Sequence, residues 1–212
     1  MCQFFSFITV PETGKKYYFD WEQRQERDFK DCDSHSEIIN YYDIDTECFN
    51  AYEYNPLTKE FSIDCINCES DNYDVLKWCN NLDWKKIVEP LIIKPIINPF
   101  ELPKVEKPTE EQIGWLKEWA SVWDSVWTPI WTPIWESIWA SIWAFVRDSV
   151  WTSVRDSVYG YISSFFDIEY KYDFSPAIKL WESGIVPSFD GDTWRLHSGK
   201  DADIIYQIRY KE

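Results

Sequence analysis

The chain has 212 residues, of which 45% are hydrophobic and 19% aromatic, so it can form a core and is not disordered as a whole. Its formal net charge of -16 argues against nucleic acid and anionic membranes as ligands, because both are bound through Lys and Arg. An acidic surplus usually serves solubility, and a mimic of nucleic acid that occupies a basic groove is the alternative. The length suits one domain or two small ones, and we expect one compact unit.

The first third of the chain is predicted to be rich in β-strands. "QFFSFITV" and "KKYYFDW" are aromatic and β-branched segments joined by "PETG", which supplies turn residues, so they predict a hairpin. "FNAYEY" and "KEFSIDCI" predict a second hairpin through "NPLT", because apolar and polar residues alternate along both segments. The alternating apolar positions are Tyr52, Tyr54, Phe61 and Ile63.

Two helices are predicted in the same region. "DSHSEIINYY" predicts a short helix that begins after Asp33 or Ser34, with Glu37 at capping-box distance from Ser34. "SDNYDVLKWCNNLD", residues 70–83, starts with acidic residues and repeats apolar residues every three to four positions. This spacing predicts a second helix.

The segment "WKKIVEPLIIKPIINPFELPKVEKP" contains five prolines among short apolar stretches. Proline removes a backbone donor and keeps its predecessor extended, so we predict an extended strap that docks through its apolar residues. "PTEEQIGWLKEWA" predicts a helix capped by Thr109. Towards the end, "SPAIKLWESG" predicts a short helix between Pro176 and Gly184, and "TWRLHSGKDADIIYQIRY" predicts a terminal hairpin.

Residues 121–164 repeat a four-residue unit eleven times. The second position is Val or Ile in every copy, which predicts that it is buried. The third position is Trp in seven copies but Arg, Tyr or Ser in the others, which indicates a surface or an interface. The repeat is interpreted as a structural scaffold or, alternatively, as a binding face; because Trp and Arg often dominate binding energy, these positions are the candidate binding residues. They are Trp123, Trp127, Trp131, Trp135, Trp139, Trp143, Arg147, Trp151 and Arg155.

Two geometries fit a period of four. On an α-helix each copy overshoots a turn by roughly 40°, so the Val and Ile stripe winds around the helix. The helix predicted from "PTEEQIGWLKEWA" runs directly into the repeat, which favours this geometry. A narrow β-solenoid is favoured instead by the β-branched residues and by Pro129 and Pro133. We expect the helix, and the solenoid stays an alternative.

Six cysteines stand in a chain that shows no signal-peptide pattern, so we expect reduced thiols and a cytoplasmic location. The C-x-x-C of Cys65 and Cys68 has no second pair, and no metal site or cofactor is predicted. If Met1 is removed, the α-amine of Cys2 can act as the base for its own thiol. This arrangement resembles N-terminal-nucleophile hydrolases, with His35 as a proton donor, although Gln3 stands where the amidotransferases among them have Gly.

The segments "MCQFFSF", "DSHSE" and "YEYNPLTKEF" resemble a set of uncharacterised phage and bacterial proteins. Those proteins open with Met-Cys and an aromatic strand, carry a "DSH" segment and often continue into low-complexity repeats, including tetrads of the "SVWD" type. The resemblance covers the N-terminal third of the chain and the repeat. It implies a protein of phage or mobile-element origin that acts inside a bacterial cell, and it implies no particular activity.

We therefore expect an α+β protein in which antiparallel hairpins pack with the tetrad segment. The expected regions are an N-terminal part (1–89), the strap (90–108), a helix with the repeat (109–166) and a C-terminal helix and hairpin (167–212). The expected function is non-catalytic binding of an unidentified protein partner through Trp-rich and acidic surfaces, with counter-defence as a role. Self-association is left open. The alternative is an amidohydrolase-like enzyme with Cys2 as nucleophile and His35 beside it.

Overall fold

The computed structural model describes residues 5–44, 47–122 and 151–210, and the side chains of 151–153 lie outside this description. The described residues form two units, 5–93 (the first unit) and 94–210 (the second unit). Each unit contains helices and one open antiparallel sheet, which confirms the predicted α+β class. The described part of the chain contains no solenoid and no helix with the length and apolarity needed to cross a bilayer.

The first unit is built on a four-stranded sheet. Its strands are β1 (Phe5–Val10), β2 (Lys15–Tyr17), β3 (Asn50–Tyr54) and β4 (Phe61–Ile66), in the order β2-β1-β3-β4. Both predicted hairpins are confirmed. Gly14 adopts a φ of 67° in the first turn, a conformation that favours glycine. In the second turn, the side-chain oxygen of Asn55 accepts hydrogen bonds from the backbone of Leu57 and Thr58.

Three helices accompany this sheet: α1 (Trp21–Glu26), α2 (His35–Tyr41) and α3 (Asn72–Asn81). The predicted α2 and α3 are confirmed, and Ser34 is the residue that caps α2. Helix α1 was not predicted, because its six residues are too few to show a hydrophobic period. Its start carries a capping box between Asp20 and Gln23, which is the signal that could have revealed it.

Aromatic rings form the core on one face of the first sheet. Side chains alternate along a strand, so Phe5, Phe7 and Tyr52 lie on the same face. Trp78 of α3 lies 5.1 Å from Phe7, and Trp84 lies 5.2 Å from Phe5, measured between ring centroids. The opposite face packs a second core around α2. Its buried members are Ile8, Phe19, Cys32, Ile38 and Ala51.

The described residues of the second unit form three helices and a three-stranded sheet. The helices are α4 (Glu110–Val122), α5 (Trp151–Ser163) and α6 (Ser175–Glu182). The strands are β5 (Ile185–Phe189), β6 (Thr193–Ser198) and β7 (Asp203–Arg209), in the order β5-β6-β7. The predicted Thr109 cap is confirmed, because its hydroxyl accepts a hydrogen bond from the backbone of Gln112. One core cluster of the unit contains Leu116, Trp119, Ala177, Leu180, Ile185, Trp194 and Leu196.

The strap is docked in the second unit, as predicted. The backbone N–H of Ile97 donates to the hydroxyl of Tyr161 over 2.9 Å. The indole N–H of Trp181 donates to the backbone carbonyl of Ile97, also over 2.9 Å. The rings of Tyr161 and Trp181 stack with their centroids 5.0 Å apart. Ile97 lies outside helices and strands, and these two hydrogen bonds satisfy its backbone N–H and C=O groups. The strap is therefore held here by side chains and not by a neighbouring strand.

The last tetrads lie on α5 and are helical. Val154, Val158 and Ile162, which occupy the second position of their copies, are completely buried, so the predicted burial is confirmed for them. Gly160 lies where a Cβ atom would come within 2.9 Å of the Cβ of Ala177, so α5 and α6 approach closely at this point. The copies at residues 123–150 lie outside the described residues, and their geometry stays a prediction.

Strand β5 was not predicted, because Pro187 in its middle cannot donate to a sheet ladder. The structure places β5 at an edge of the sheet, where a residue without an N–H is tolerated. The carbonyl of Pro187 accepts a hydrogen bond from the hydroxyl of Ser157 on α5 over 2.6 Å. The strand is therefore held from one side by β6 and from the other by a helix.

Candidate interaction surface

Most of the candidate tetrad residues cannot be placed. Trp123, Trp127, Trp131, Trp135, Trp139, Trp143 and Arg147 lie outside the described residues. Trp151 begins α5, and its side chain is outside the description. Arg155 has an exposed side chain, and its Nε atom lies 3.8 Å from the carboxylate of Asp156. Of the predicted binding residues, Arg155 is therefore the one that the structure places on a surface.

The "DSHSE" segment connects α2 to the first sheet. The carboxylate of Asp33 accepts two hydrogen bonds from the guanidinium of Arg24, at 2.8 and 3.0 Å, and one from the backbone of Ser6 at 3.2 Å. Arg24 and Asp33 are both buried, and the Nε atom of Arg24 donates to the carbonyl of Phe19. Two oxygens facing a planar guanidinium form a strong, directional pair. Asp33 therefore fixes the loop before α2 and does not cap the helix.

His35, the histidine of the enzyme hypothesis, is engaged at both ring nitrogens. Nε2 lies 3.0 Å from the carbonyl oxygen of Tyr52, and Nδ1 lies 3.2 Å from a carboxylate oxygen of Asp64. A carbonyl oxygen can only accept, so Nε2 carries a proton. His35 thus joins α2 to β3 and β4. Cys2, its proposed partner in catalysis, lies outside the described residues.

The cysteines differ from the expectation of reduced thiols. Cys48 and Cys68 form a disulfide, with Cα atoms 5.2 Å apart. They meet because the buried amide of Asn50 holds the chain that follows β4: its oxygen accepts from the backbone of Asn67 and of Cys68. Cys65 is a partly exposed free thiol, so the two cysteines of the C-x-x-C motif are not bonded to each other. In residues that the structure describes, no three His, Cys, Asp or Glu side chains form a metal-binding group.

A polar network fixes the start of α3 on β3. The side-chain nitrogen of Asn50 donates to Asp71 over 2.9 Å, and the hydroxyl of Tyr52 donates to the same carboxylate over 2.6 Å. Burial alone would raise the pKa of Asp71, but the bonds from Tyr52 and Asn50 outweigh it and lower the pKa. The carboxylate therefore stays ionised as the common acceptor, and α3 is held at a fixed place on the sheet.

The second unit contains a buried serine–histidine pair. The Nδ1 atom of His197 donates to the carbonyl of Ala202 over 2.9 Å, and Nε2 lies 2.7 Å from the hydroxyl of Ser188. Burial lowers the pKa of His197, so the ring is neutral and Nε2 accepts the serine proton. In a catalytic site such a serine would be the nucleophile and the histidine its base, but Ser188 is only 1% exposed. The Ser188–His197 pair is closed to solvent and links β5 to β6.

Four large apolar side chains are exposed on β4 and α3 of the first unit. They are Ile63 (49% exposed), Ile66 (38%), Tyr73 (80%) and Leu76 (36%). We call these four residues the α3–β4 surface. Grouped apolar side chains in solvent are typical of binding sites, whereas single ones need no explanation.

A bulge places both isoleucines of this surface on one face of the sheet. Ile63 pairs with Tyr52, and Ile66 pairs with Asn50, with Asp64 left as the additional residue. Side chains alternate between the faces, so a regular strand would send residues three apart to opposite sides. Because of the additional residue, Ile63 and Ile66 share the face on which α3 lies.

Hydrogen bonds show which side of α3 is turned towards β4. The hydroxyl of Tyr52 bonds to Asn72 over 2.8 Å, and that of Tyr54 bonds to Asn80 over 2.9 Å. Leu76 is four residues from each asparagine and therefore lies on the same side of the helix. Ile63 is the cross-strand neighbour of Tyr52, whose hydroxyl bonds to Asn72 on this side of the helix. Tyr73 lies one turn before Leu76 and extends the surface along the helix.

The surroundings of the α3–β4 surface are acidic. Residues 1–93 contain 19 Asp and Glu against 9 Lys and Arg. Between residues 60 and 80 there are five carboxylates and a single basic residue, Lys77. Asp64 and Asp74 are exposed to solvent; the Asp64 carboxylate lies beside His35 on the α2 side of the sheet, and Lys77 is one helical turn after Tyr73 on α3. The surface therefore belongs to an acidic region of the chain.

Comparison with known proteins adds no family to this description. No protein-family model matches the chain, and no curated protein and no solved structure shows significant similarity to it. The resemblance to phage and bacterial proteins accordingly stays a prediction. The candidate site rests on the geometry of the described residues.

Proposed function

We propose that the protein is a non-catalytic interaction protein that binds a basic protein partner, with the α3–β4 surface as part of its binding site. The observation that carries this proposal is the group of four exposed apolar side chains within an acidic stretch of the chain. Apolar contact supplies affinity, and the carboxylates favour partners of opposite charge and accelerate their approach.

Tyr73 is the expected anchor of the site. Its side chain is 80% exposed, and tyrosine is among the residues that most often carry binding energy at interfaces. Leu76 and the two isoleucines provide the apolar surroundings from which a partner excludes water. Exposed charges act through solvent and are screened by salt, so the acidic contribution weakens as ionic strength rises.

The tetrad tryptophans belong to the same proposal on the basis of the sequence, and the exposed Arg155 of α5 is compatible with it. The role in counter-defence inside a bacterial cell is proposed on the family resemblance alone. Both parts can be separated from the α3–β4 surface by experiment, since substitutions at Tyr73 and Leu76 leave the tetrads unchanged.

The test is affinity capture from a bacterial lysate with three versions of the full chain: wild type, the double variant Tyr73→Ser/Leu76→Ser, and the control Ile204→Ser. Ile204 is an exposed apolar residue like those tested, with 55% of its side chain exposed, but it lies on β7 of the second unit. We expect the wild type and the control to retain a basic protein that the double variant loses, and we expect added salt to weaken retention.

Equal recovery of the same proteins by all three versions would overturn the proposal, as would a retained partner that is acidic. Circular dichroism provides the folding control. Leu76 is 36% exposed and its substitution also removes some packing, so capture is compared at a temperature at which circular dichroism shows all three versions folded.

A further inference from the structure

We infer that the second unit contains a peptide-binding groove for extended segments in which a basic residue precedes proline, and that the strap occupies this groove in cis. Four residues at the ends of α5 and α6 form the groove, and we call them the strap groove: Tyr161, Phe165, Trp181 and Glu182. The occupant in trans is a segment of a partner protein with the same pattern. These residues belong to the second unit and the α3–β4 surface to the first, so this inference goes beyond the proposed function and is tested separately from it.

The strap is held in the groove through its main chain. The N–H of Ile97 donates to the hydroxyl of Tyr161, and the carbonyl of Ile97 accepts from the indole of Trp181, each over 2.9 Å. Bonds to the main chain do not depend on which side chain a ligand carries at that position. Aromatic-lined grooves of this kind are where proteins bind extended, proline-containing segments.

The groove also contacts a basic side chain of the strap. The ammonium of Lys94 lies 3.4 Å from a carboxylate oxygen of Glu182. It lies 5.5 Å from the ring centroid of Tyr161 and 4.9 Å from that of Phe165. A cation is attracted both by the faces of aromatic rings and by a carboxylate. Pro95 follows directly and keeps Lys94 extended, so the groove favours a basic residue that precedes proline.

The polar atoms of the groove require an occupant. The side chains of Tyr161 and Trp181 are completely buried, and a buried polar group without a partner is unfavourable. An extended chain that presents one N–H and one C=O satisfies both the hydroxyl and the indole. The strap does so in this structure, and a partner segment with the same backbone conformation can replace it.

The occupying part of the strap is suited to displacement. Residues 92–97 lie outside helices and strands, and in the described part of the chain Lys94 and Ile97 make their hydrogen bonds to the second unit. Ile92 and Ile93 are 41% and 46% exposed. Segments with few buried contacts open at a low cost in free energy. The strap is therefore expected to exchange with a competing segment.

The test measures binding of a labelled synthetic peptide with the sequence of residues 91–100 to the full chain by fluorescence anisotropy. The opened variant, Lys94→Ser/Ile97→Pro, weakens docking of the strap in cis. It removes the ammonium and the N–H that donates to Tyr161, while proline keeps the backbone extended. A second peptide, which carries Lys94→Glu, tests whether the basic residue is recognised.

Two further substitutions are introduced into the opened variant to locate the bound peptide. Glu182→Gln removes the carboxylate of the strap groove and keeps the size of the side chain. Glu118→Gln is the matched control, because Glu118 is an exposed glutamate on α4 of the same unit. Circular dichroism shows whether each variant is folded.

We expect the opened variant to bind the peptide at least about tenfold more tightly than the wild type, because the tethered strap competes at a high effective concentration. We expect Glu182→Gln to lower the affinity about fivefold and Glu118→Gln to leave it unchanged. The Lys94→Glu peptide should bind the opened variant about tenfold more weakly than the original peptide, since it loses the attraction to the rings and is repelled by the carboxylate.

Equal affinity of the wild type and the opened variant would overturn the inference, because the peptide would not compete with the strap. Absence of binding to the folded opened variant would also overturn it, because the groove would then accept the strap alone. Equal effects of Glu182→Gln and Glu118→Gln would show that the peptide binds elsewhere and would overturn the assignment of the groove.

Hydrogen exchange of the wild-type chain gives a result that does not depend on the folding of a variant. At a peptide concentration that saturates the anisotropy signal, exchange in residues 92–98 of the chain should increase, and Ile96→Val in the peptide distinguishes its fragments by mass. Unchanged exchange at saturation would overturn the competition. Analytical ultracentrifugation covers a second copy of the chain: a wild-type dimer that dissociates in the opened variant would overturn occupancy of the groove in cis.

Discussion

Each unit buries a pair of polar side chains between its elements, and the pair is charged in the first unit but neutral in the second. Arg24 and Asp33 meet through two hydrogen bonds in the first unit. Ser188 and His197 meet through one hydrogen bond in the second, and the remaining ring nitrogen of the histidine donates to a carbonyl. All four side chains are buried.

The charged pair and the neutral pair are expected to be sensitive to different perturbations. A buried ion pair is paid for by removing two charges from water, so loss of one partner leaves the other charge uncompensated. A neutral pair costs less to bury, but it depends on a histidine that must stay unprotonated. The first unit is therefore expected to be sensitive to substitution and the second to pH.

Substitution of the ion pair is expected to have the largest effect. Asp33→Ala leaves Arg24 buried without a counter-ion and removes the acceptor of the Ser6 N–H, so the free energy of unfolding of the first unit should fall by about 3–5 kcal/mol. Hydrogen exchange followed by mass spectrometry resolves peptides of this unit. Glu26→Ala, at an exposed carboxylate, is the control. An equal effect of the two substitutions would show that the buried pair does not stabilise the fold.

Removal of the disulfide is expected to come next. Cys48 and Cys68 are 20 residues apart, and a crosslink across such a loop contributes about 3 kcal/mol by restricting the unfolded chain. The variant Cys48→Ala/Cys68→Ala should lower the urea midpoint of the first unit by a corresponding amount. Cys65→Ala removes a thiol of the same hairpin without breaking the crosslink, and it should change the midpoint little. If the two variants behave alike, the crosslink does not restrict the unfolded chain.

The pH dependence of the second unit is expected to be the smallest of the three effects. Burial lowers the pKa of His197 below its ordinary value of 6.5, so the unfolded chain takes up a proton that the folded chain does not. The stability from this residue is complete above pH 6.5. It declines as the pH falls towards the folded pKa, by up to about 1.4 kcal/mol per pH unit. Urea unfolding between neutral and mildly acidic pH measures this slope, and His197→Gln should flatten it. An unchanged slope in the variant would contradict the assignment.

Local signals predicted most of the elements. Turn residues and alternation were sufficient for the hairpins, and Ser34 and Thr109 correctly marked the starts of two helices. Comparison of the tetrads with one another predicted the burial of Val154 and Val158, because a position that never admits a polar side chain is a packing position. These signals are carried by neighbouring residues, which the sequence displays directly.

Properties that depend on distant residues were not predictable. A strand tolerates Pro187 because it lies at the edge of its sheet, and the order of strands in a sheet cannot be predicted from neighbouring residues. Cys48 and Cys68 pair because the side chain of Asn50 holds a loop. Ile63 and Leu76 fit the patterns of buried residues, yet both are exposed, because burial depends on which elements pack together in space.

The additional residue at Asp64 also has a consequence for the solubility of the chain. Deletion of this residue would leave Ile63, Cys65 and Ile66 in regular alternation opposite β3, with the apolar set unchanged. A regular, apolar outer strand is the kind of template on which identical chains stack into fibrils. A single residue in excess of the sheet's period therefore keeps this outer strand irregular, which protects its edge from pairing with another chain.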